Sequence, residues 1–285
     1  MTDRSQWLVT TDWLAAHLGD PELVVIDGSW HLPGGVRDAR KEYEAAHIPG
    51  AVFFDIDAIA DTSIPLPHML PSAGEFAAAV GALGIGNDSK IVVYDTNGIY
   101  SSPRVWWTFK VMGVKDVVVL DGGLPRWKAD DRLLNDWPVS REPRTFIARF
   151  DPSAVRDMAE VRDGVAAKRF QLVDARPAAR FRGEVAEPRK WVRSGRVPGS
   201  YNVPVTTLVT DGRLNGPEAI RAAFEAAGVD LDQPIVASCG SGVNATILTL
   251  ALETIGVRSA VYDGSWTEWG ARDDMPIATG PGPDR

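Results

Sequence analysis

The 285-residue chain has one cysteine, in the stretch Pro234-Ile-Val-Ala-Ser-Cys-Gly-Ser-Gly-Val-Asn-Ala245. Ile235–Ser238 is short and apolar enough for a buried strand, which puts Cys239 at the strand end. Gly240 and Gly242 free the backbone for a tight loop, and 245–255 then reads as a helix. Loop N–H groups and a helix N-terminus around a thiol favour its thiolate, the nucleophilic form. A lone cysteine without context reads as a small buried core residue. The Gly-Ser-Gly loop behind this one favours chemistry instead.

Three other cysteine chemistries fail on spacing. A phosphatase loop needs Arg six positions after the Cys, where this chain has Ala245. A dithiol site needs a second Cys nearby. A papain-like protease needs His and Asn far downstream, whereas the last of the four histidines is His68. What remains is a thiolate that takes up and passes on a single group. Loop N–H groups from Gly240, Ser241, Gly242, Val243 and Asn244 are placed to stabilise its anionic sulfur.

A second chemical feature is a run of arginines. Between Arg176 and Arg196 the only acids are Glu184 and Glu187, in a chain of net charge -8. This is a local basic patch. Guanidinium forks suit a carboxylate beside a keto group, because each donates two parallel bonds. Arg176 lies close to Asp174 at a strand end and reads as a structural ion pair.

These groups need a scaffold that ends strands where chemistry begins. Thr10-Thr-Asp12 can cap a helix over 13–18. A buried strand over 23–26 ends in Asp27, and a short helical piece over 43–47 closes at Ile48-Pro49-Gly50. Ser72-Ala-Gly-Glu75 is a capping box for a helix over 76–83. A strand over 91–94, a helix over 104–112 and a strand at Val117–Leu120 follow.

The same order recurs. Gln171-Leu-Val-Asp174 matches Val24-Val-Ile-Asp27, and Arg196-Val-Pro-Gly199 matches His47-Ile-Pro-Gly50. Ile235-Val-Ala-Ser-Cys239 matches Ile91-Val-Val-Tyr-Asp95, and Ala260-Val-Tyr-Asp-Gly264 matches Val118-Val-Leu-Asp-Gly122. The chain is a tandem duplication. Buried strands alternating with helices predict, in each copy, a mainly parallel sheet covered on both faces: an α/β protein. The expected domains are 1–140 and 154–285, with a polar linker over 141–153. Asp95 stands where the second copy has Cys239, so the first copy carries no nucleophile and reads as a wall of the site.

Several classes are excluded. The net charge argues against nucleic acid and anionic membrane as partners. No apolar run is long enough for a membrane helix, and no leader pattern opens the chain. A single Cys fits a reducing, cytoplasmic compartment. No cluster has metal-ligand spacing, and the glycines form no nucleotide fingerprint, so no metal or cofactor is expected. His17 reads as a surface residue; His31 and His47 carry no assigned chemistry.

The chain resembles the tandem rhodanese-type sulfurtransferases over nearly its whole length. The matching residues are Val173-Asp-Ala-Arg176, the two Pro-Gly turns, Asp121-Gly-Gly-Leu-Pro-Arg-Trp127 and its echo Asp263-Gly-Ser-Trp-Thr-Glu-Trp269, and the Cys loop. The loop is most similar to the 3-mercaptopyruvate-using branch, with Asn244 in place of the usual Thr; Asn suits a helix N-cap. Arg196 stands where His is usual. The resemblance implies two rhodanese-like domains and a Cys239 persulfide passed to cyanide or to a thiol such as thioredoxin or a small thiol. It implies that Arg180 and Arg189 bind the substrate carboxylate and keto oxygen. It also implies that Asp57, His68 and Ser241 form a charge-transfer set. Two rivals remain open: a thiosulfate sulfurtransferase, and a non-catalytic persulfide-carrying or binding module.

Overall fold

The computed structural model describes residues 4–32 and 34–282. The first half builds β1 (Leu8–Val9), β2 (Leu23–Asp27), β3 (Val52–Phe53), β4 (Lys90–Tyr94) and β5 (Val117–Leu120) into a parallel sheet of order β1-β5-β4-β2-β3. Its helices are α1 (Thr11–His17), α2 (Ala39–Ala45), α3 (Ala73–Ala82), α4 (Ser102–Val111) and α5 (Gly123–Ala129). The second half builds β6 (Val155–Arg156), β7 (Gln171–Asp174), β8 (Tyr201–Asn202), then a hairpin of β9 (Val209–Thr210) and β10 (Arg213–Leu214), then β11 (Ile235–Ser238) and β12 (Ser259–Tyr262). Its main sheet is parallel, with order β6-β12-β11-β7-β8. The helices are α6 (Met158–Ala166), α7 (Ala178–Phe181), α8 (Pro217–Ala226), α9 (Ala245–Thr254) and α10 (Ser265–Trp269). The two sheet orders superimpose strand for strand, as a duplication requires. Among the described residues no helix is long and apolar enough to cross a membrane.

Local signals account for the element starts. The Ser72–Glu75 capping box is formed in full, and the Thr10 side chain caps α1 by accepting from the Trp13 N–H. The helix expected over 43–47 begins earlier, at Ala39, because the Asp38 side chain caps it through the Lys41 N–H. His47 lies beyond its end and bridges to Asn135.

The halves share one core. α9 has almost no polar side, and nine of its ten residues are buried. A helix apolar all round belongs in an interior. α9 packs on α4, which carries buried Trp106 and Trp107. The segment over 141–153, expected as a linker, does not hang free. The N–H groups of Arg144, Arg149 and Asp151 donate to the carbonyls of Gly81, Met112 and Val111, and Phe146 packs on Phe76 with ring centroids 5.7 Å apart. The β9–β10 hairpin reaches back to the first domain, where the Leu214 N–H meets Asp121 Oδ1 at 3.0 Å. Its tip at Gly212 lies so close to Gly98 that a Cβ there would come within 2.5 Å.

Asp95 is more than a missing nucleophile. Its Oδ2 accepts the N–H groups of Tyr100, Ser101 and Ser102 and the Ser102 hydroxyl; its Oδ1 accepts the Asn97 N–H. The first copy fills its own loop with an internal anion.

Asp27 shows another divergence between the copies. Its counterpart Asp174 is neutralised by Arg176, but the matching position in the first copy is Ser29. Burial pushes the Asp27 carboxyl up to about 6 against hydrogen bonds from Ser29 and Tyr94. A raised carboxyl pKa means that the native state holds the proton more tightly. The stability it gives is complete below about pH 4 and is lost as pH rises through about 6. Asp27→Asn is therefore expected to raise the melting temperature at pH 8 by about 5 degrees, from a gain of about 3 kcal/mol, and to change it little at pH 4. Melting curves of both proteins at the two pH values check this. An equal shift at both would remove the titration account.

Candidate active site

Cys239 follows the last residue of β11, and the Arg176–Arg180 segment follows β7, its neighbour in the sheet. The chain leaves β11 toward β12 and β7 toward β8, in opposite directions across the sheet. A crevice opens at such a divergence, outside the carboxyl ends of the strands. The two chemical features of the sequence are thus brought to one crevice.

α10 fixes the Cys loop from below. The Cys239 N–H donates to Ser265 Oγ at 3.1 Å, and the Cys239 carbonyl accepts the Trp266 N–H at 3.1 Å. The Gly240 carbonyl accepts the Thr267 N–H at 2.7 Å and the Thr267 hydroxyl at 2.6 Å. Gly242 has φ 80°, and a Cβ on it would lie 2.6 Å from the Asp263 carbonyl oxygen. Only glycine fits there. Cys239 is 3% exposed. Among the described residues, the amides of residues 240–244 donate to no protein acceptor. The matching loop of the first copy spends its amides on Asp95, whereas this one leaves them for an anion at the thiol. Val243 is buried and anchors the loop by accepting the Thr246 hydroxyl at 2.6 Å. Asn244 takes the N-cap position of α9, but with helical φ and ψ, so its side chain makes no capping bond.

The basic patch is mostly neutralised. Arg176 is buried and grips Asp174 with Nε and Nη2, both within 3 Å of Oδ2. Its Nη1 donates to Glu187 Oε1 at 2.9 Å. Arg180 donates to the same Glu187 through Nε, at 3.2 Å, and through Nη2. Arg182 pairs with Glu184; Arg193 and Arg196 donate to backbone carbonyls. Arg189 is different. Its half-buried side chain makes no hydrogen bond or ion pair among the described residues. Burial and the neighbouring Arg180 push its pKa down; Cys239, Asp57 and Glu187 act the other way. Arg180 also faces the loop: a Cβ on Gly240 would lie 3.3 Å from its Nη2. Two cations therefore act on the Cys loop: Arg180, held by Glu187 and close to Gly240, and Arg189, unpaired among the described residues and within electrostatic range of Cys239.

The Asp57 segment comes from the first domain. Asp57 Oδ1 is 2.7 Å from His68 Nδ1, an ion-pair distance without aligned hydrogen-bond geometry, and Asp57 Oδ2 accepts the Trp30 indole N–H at 3.0 Å. Burial acts to raise the Asp57 carboxyl, but His68, Trp30 and the charge of Arg189 outweigh it and leave the group below the usual carboxylate range. His68 is buried, at φ 63°, with its ring edge-on to Trp30 at 4.7 Å. Among the described residues its Nε2 has no partner, and neither has the Ser241 hydroxyl. The structure brings Asp57 to His68 and leaves the link from His68 to Ser241 open.

Three neighbours escaped the sequence. Trp30 holds Asp57, and Glu187 holds Arg180. The Tyr100 phenol is held above its ordinary pKa by burial and by the nearby Cys239 and Asp95, against Arg180. Tyr100 lies in the first-domain loop that matches the Cys loop, and that correspondence was its only signal.

A profile of the rhodanese-like domain matches residues 10–130 and again 157–272. The chain is 46% identical over 273 residues to the 3-mercaptopyruvate sulfurtransferase of Escherichia coli strain K12, covering 95% of this chain and 97% of that one. It is 44% identical over 271 residues to a thiosulfate sulfurtransferase of Cricetulus griseus, covering 92% and 91%. Its fold matches the crystal structure of SseA from Escherichia coli, of the 3-mercaptopyruvate sulfotransferases, with a TM-score of 0.85 and 44% identity over 92% of this chain and 99% of the other. With both halves matched, nearly the full length aligned and one thiol at the crevice, the chain belongs to the tandem-domain rhodanese-type sulfurtransferases.

Proposed function

We propose that this protein is a 3-mercaptopyruvate sulfurtransferase working through a Cys239 persulfide. The Cys239 thiolate attacks the sulfur of 3-mercaptopyruvate. The carbon–sulfur bond breaks, its electron pair leaves as the enolate of pyruvate, and one proton converts that enolate to pyruvate. The transferred sulfur stays on Cys239. A thiolate acceptor, such as thioredoxin or a small thiol in the cytoplasm, or cyanide, then attacks the outer sulfur and restores the Cys239 thiolate.

Each group has a physical task. The free amides of Gly240, Ser241, Gly242, Val243 and Asn244 stabilise negative sulfur at no cost of rearrangement. Arg180 and Arg189 hold the carboxylate and keto oxygen and so orient the scissile bond. Ser241, with His68 and Asp57, is assigned the proton exchanged at the substrate.

The observation that carries this reading is the placement of charge. Residues 240–244 carry none, while Arg189, which makes no hydrogen bond or ion pair among the described residues, is near enough to feel the charge of Cys239. Thiosulfate keeps its charge next to the transferred sulfur, whereas 3-mercaptopyruvate carries it on a distant carboxylate. The expected result is a kcat/KM for 3-mercaptopyruvate at least about tenfold above that for thiosulfate, a difference of about 1.4 kcal/mol in transition-state stabilisation. Parallel assays of both donors with cyanide decide it. A preference for thiosulfate would overturn the donor assignment, and no turnover with either would leave a persulfide carrier.

A further inference from the structure

The two domains meet at the Cys loop through one buried arginine. Arg104 lies in α4 of the first domain and is 3% exposed. Its Nη1 donates to Asp263 Oδ1 at 2.6 Å and to the Gly242 carbonyl at 3.3 Å, both in the second domain. Its Nη2 donates to the His68 carbonyl. Asp263, 4% exposed, uses its other oxygen to accept the Leu70 N–H at 2.7 Å. The guanidinium also stacks over Trp107, 4.8 Å from the ring centroid. A single ion pair thus ties together the Cys loop, the His68 segment and the strand end that precedes α10.

We propose that Arg104 and Asp263 are positioning residues, which set the Cys loop and His68 at their working distance and make the nucleophile-free domain part of the catalytic device. The inference rests on the proposed reaction. Three features support it. A guanidinium can hold three acceptors on separate segments at fixed angles, which an ammonium cannot. His68 has φ 63°, an unfavourable conformation for a residue with a Cβ, and Arg104 captures its carbonyl. Gly242 has φ 80°, and its missing Cβ leaves room for Nη1, which a Cβ would approach to 3.0 Å. Without Arg104, the strained His68 and the Gly242 turn each lose a restraint. The substrate carboxylate is untouched, because Arg180 and Arg189 come from another segment, braced by Glu187. The loss should therefore fall on kcat and spare KM.

Two full-length variants test this. Arg104→Lys keeps a cation opposite Asp263 but cannot hold both carbonyls. Arg104→Gln with Asp263→Asn removes both buried charges together, so neither is stranded if the lysine variant folds poorly. Each is assayed with 3-mercaptopyruvate and cyanide well below its melting temperature. In parallel, iodoacetamide alkylation of Cys239, the only thiol, is followed by mass. The expected result is a kcat lower by at least about tenfold, a KM within about threefold of wild type, and faster alkylation as the loop loosens. A stability role alone would lower the melting temperature and leave kcat and alkylation at wild-type values. That outcome, or a raised KM with unchanged kcat, would overturn the proposal. If the wild type itself does not use 3-mercaptopyruvate, the donor assignment fails while the alkylation rates still judge the brace.

Discussion

Cys239→Ser will fold and melt like the wild type and lose sulfur transfer by at least about 10⁴-fold. The substitution exchanges sulfur for oxygen and nothing else. The smaller atom stays within the same ring of amides, and the backbone contacts of Cys239 to Ser265 and Trp266 do not involve the side chain. An alcohol at neutral pH is almost wholly protonated and cannot carry a sulfane sulfur. The check is direct because no other thiol exists in the chain. After donor treatment, the intact mass of the wild type should rise by one sulfur atom and that of the variant should not. Sulfur retained on the variant would mean that another group accepts it.

Arg189→Ala is expected to lower kcat/KM for 3-mercaptopyruvate by about 10- to 100-fold, the worth of a charge-assisted bond to a carboxylate. The same change should alter thiosulfate use by less than about threefold, because no fixed carboxylate is lost there. Arg189 suits this test better than Arg180. The Arg180 fork already holds Glu187, so removing it also takes one of two cationic partners from a buried carboxylate that Arg176 shares. Arg189 makes no such bonds, so its removal strands no partner and takes away only the charge it exerts on Asp57, Cys239 and the substrate. Its half-buried guanidinium feels the charge of Cys239, as a group that meets a carboxylate several bonds from the sulfur should. Equal losses for both donors would show that Arg189 only sets the general field of the crevice. The donor assignment would then lose its main support.

Local patterns in the chain determine a good deal by themselves. The strand Ile235–Ser238, the loop glycines and the helix behind them place a thiol at a strand end, because apolar runs, glycines and caps act over a few residues. The duplication follows from the same local patterns taken twice. The Asp174–Arg176 pair is legible too, being two residues apart. The basic patch is not. Residue counts show charge but not partners, and Glu187 proved to sit between Arg176 and Arg180 while Arg189 stayed unpaired. His68 lies in a proline-rich loop with nothing local to bury it, yet the fold packs it against Trp30 and Asp57. Arg104 gives no sequence signal at all, since its acceptors lie 36 to 159 residues away. The sequence determined where the one thiol lies and what kind of loop holds it, because those depend on short-range backbone chemistry. The tertiary structure decided which charges remain free to meet a substrate, because neutralisation in a buried crevice depends on partners that only the packed fold brings together.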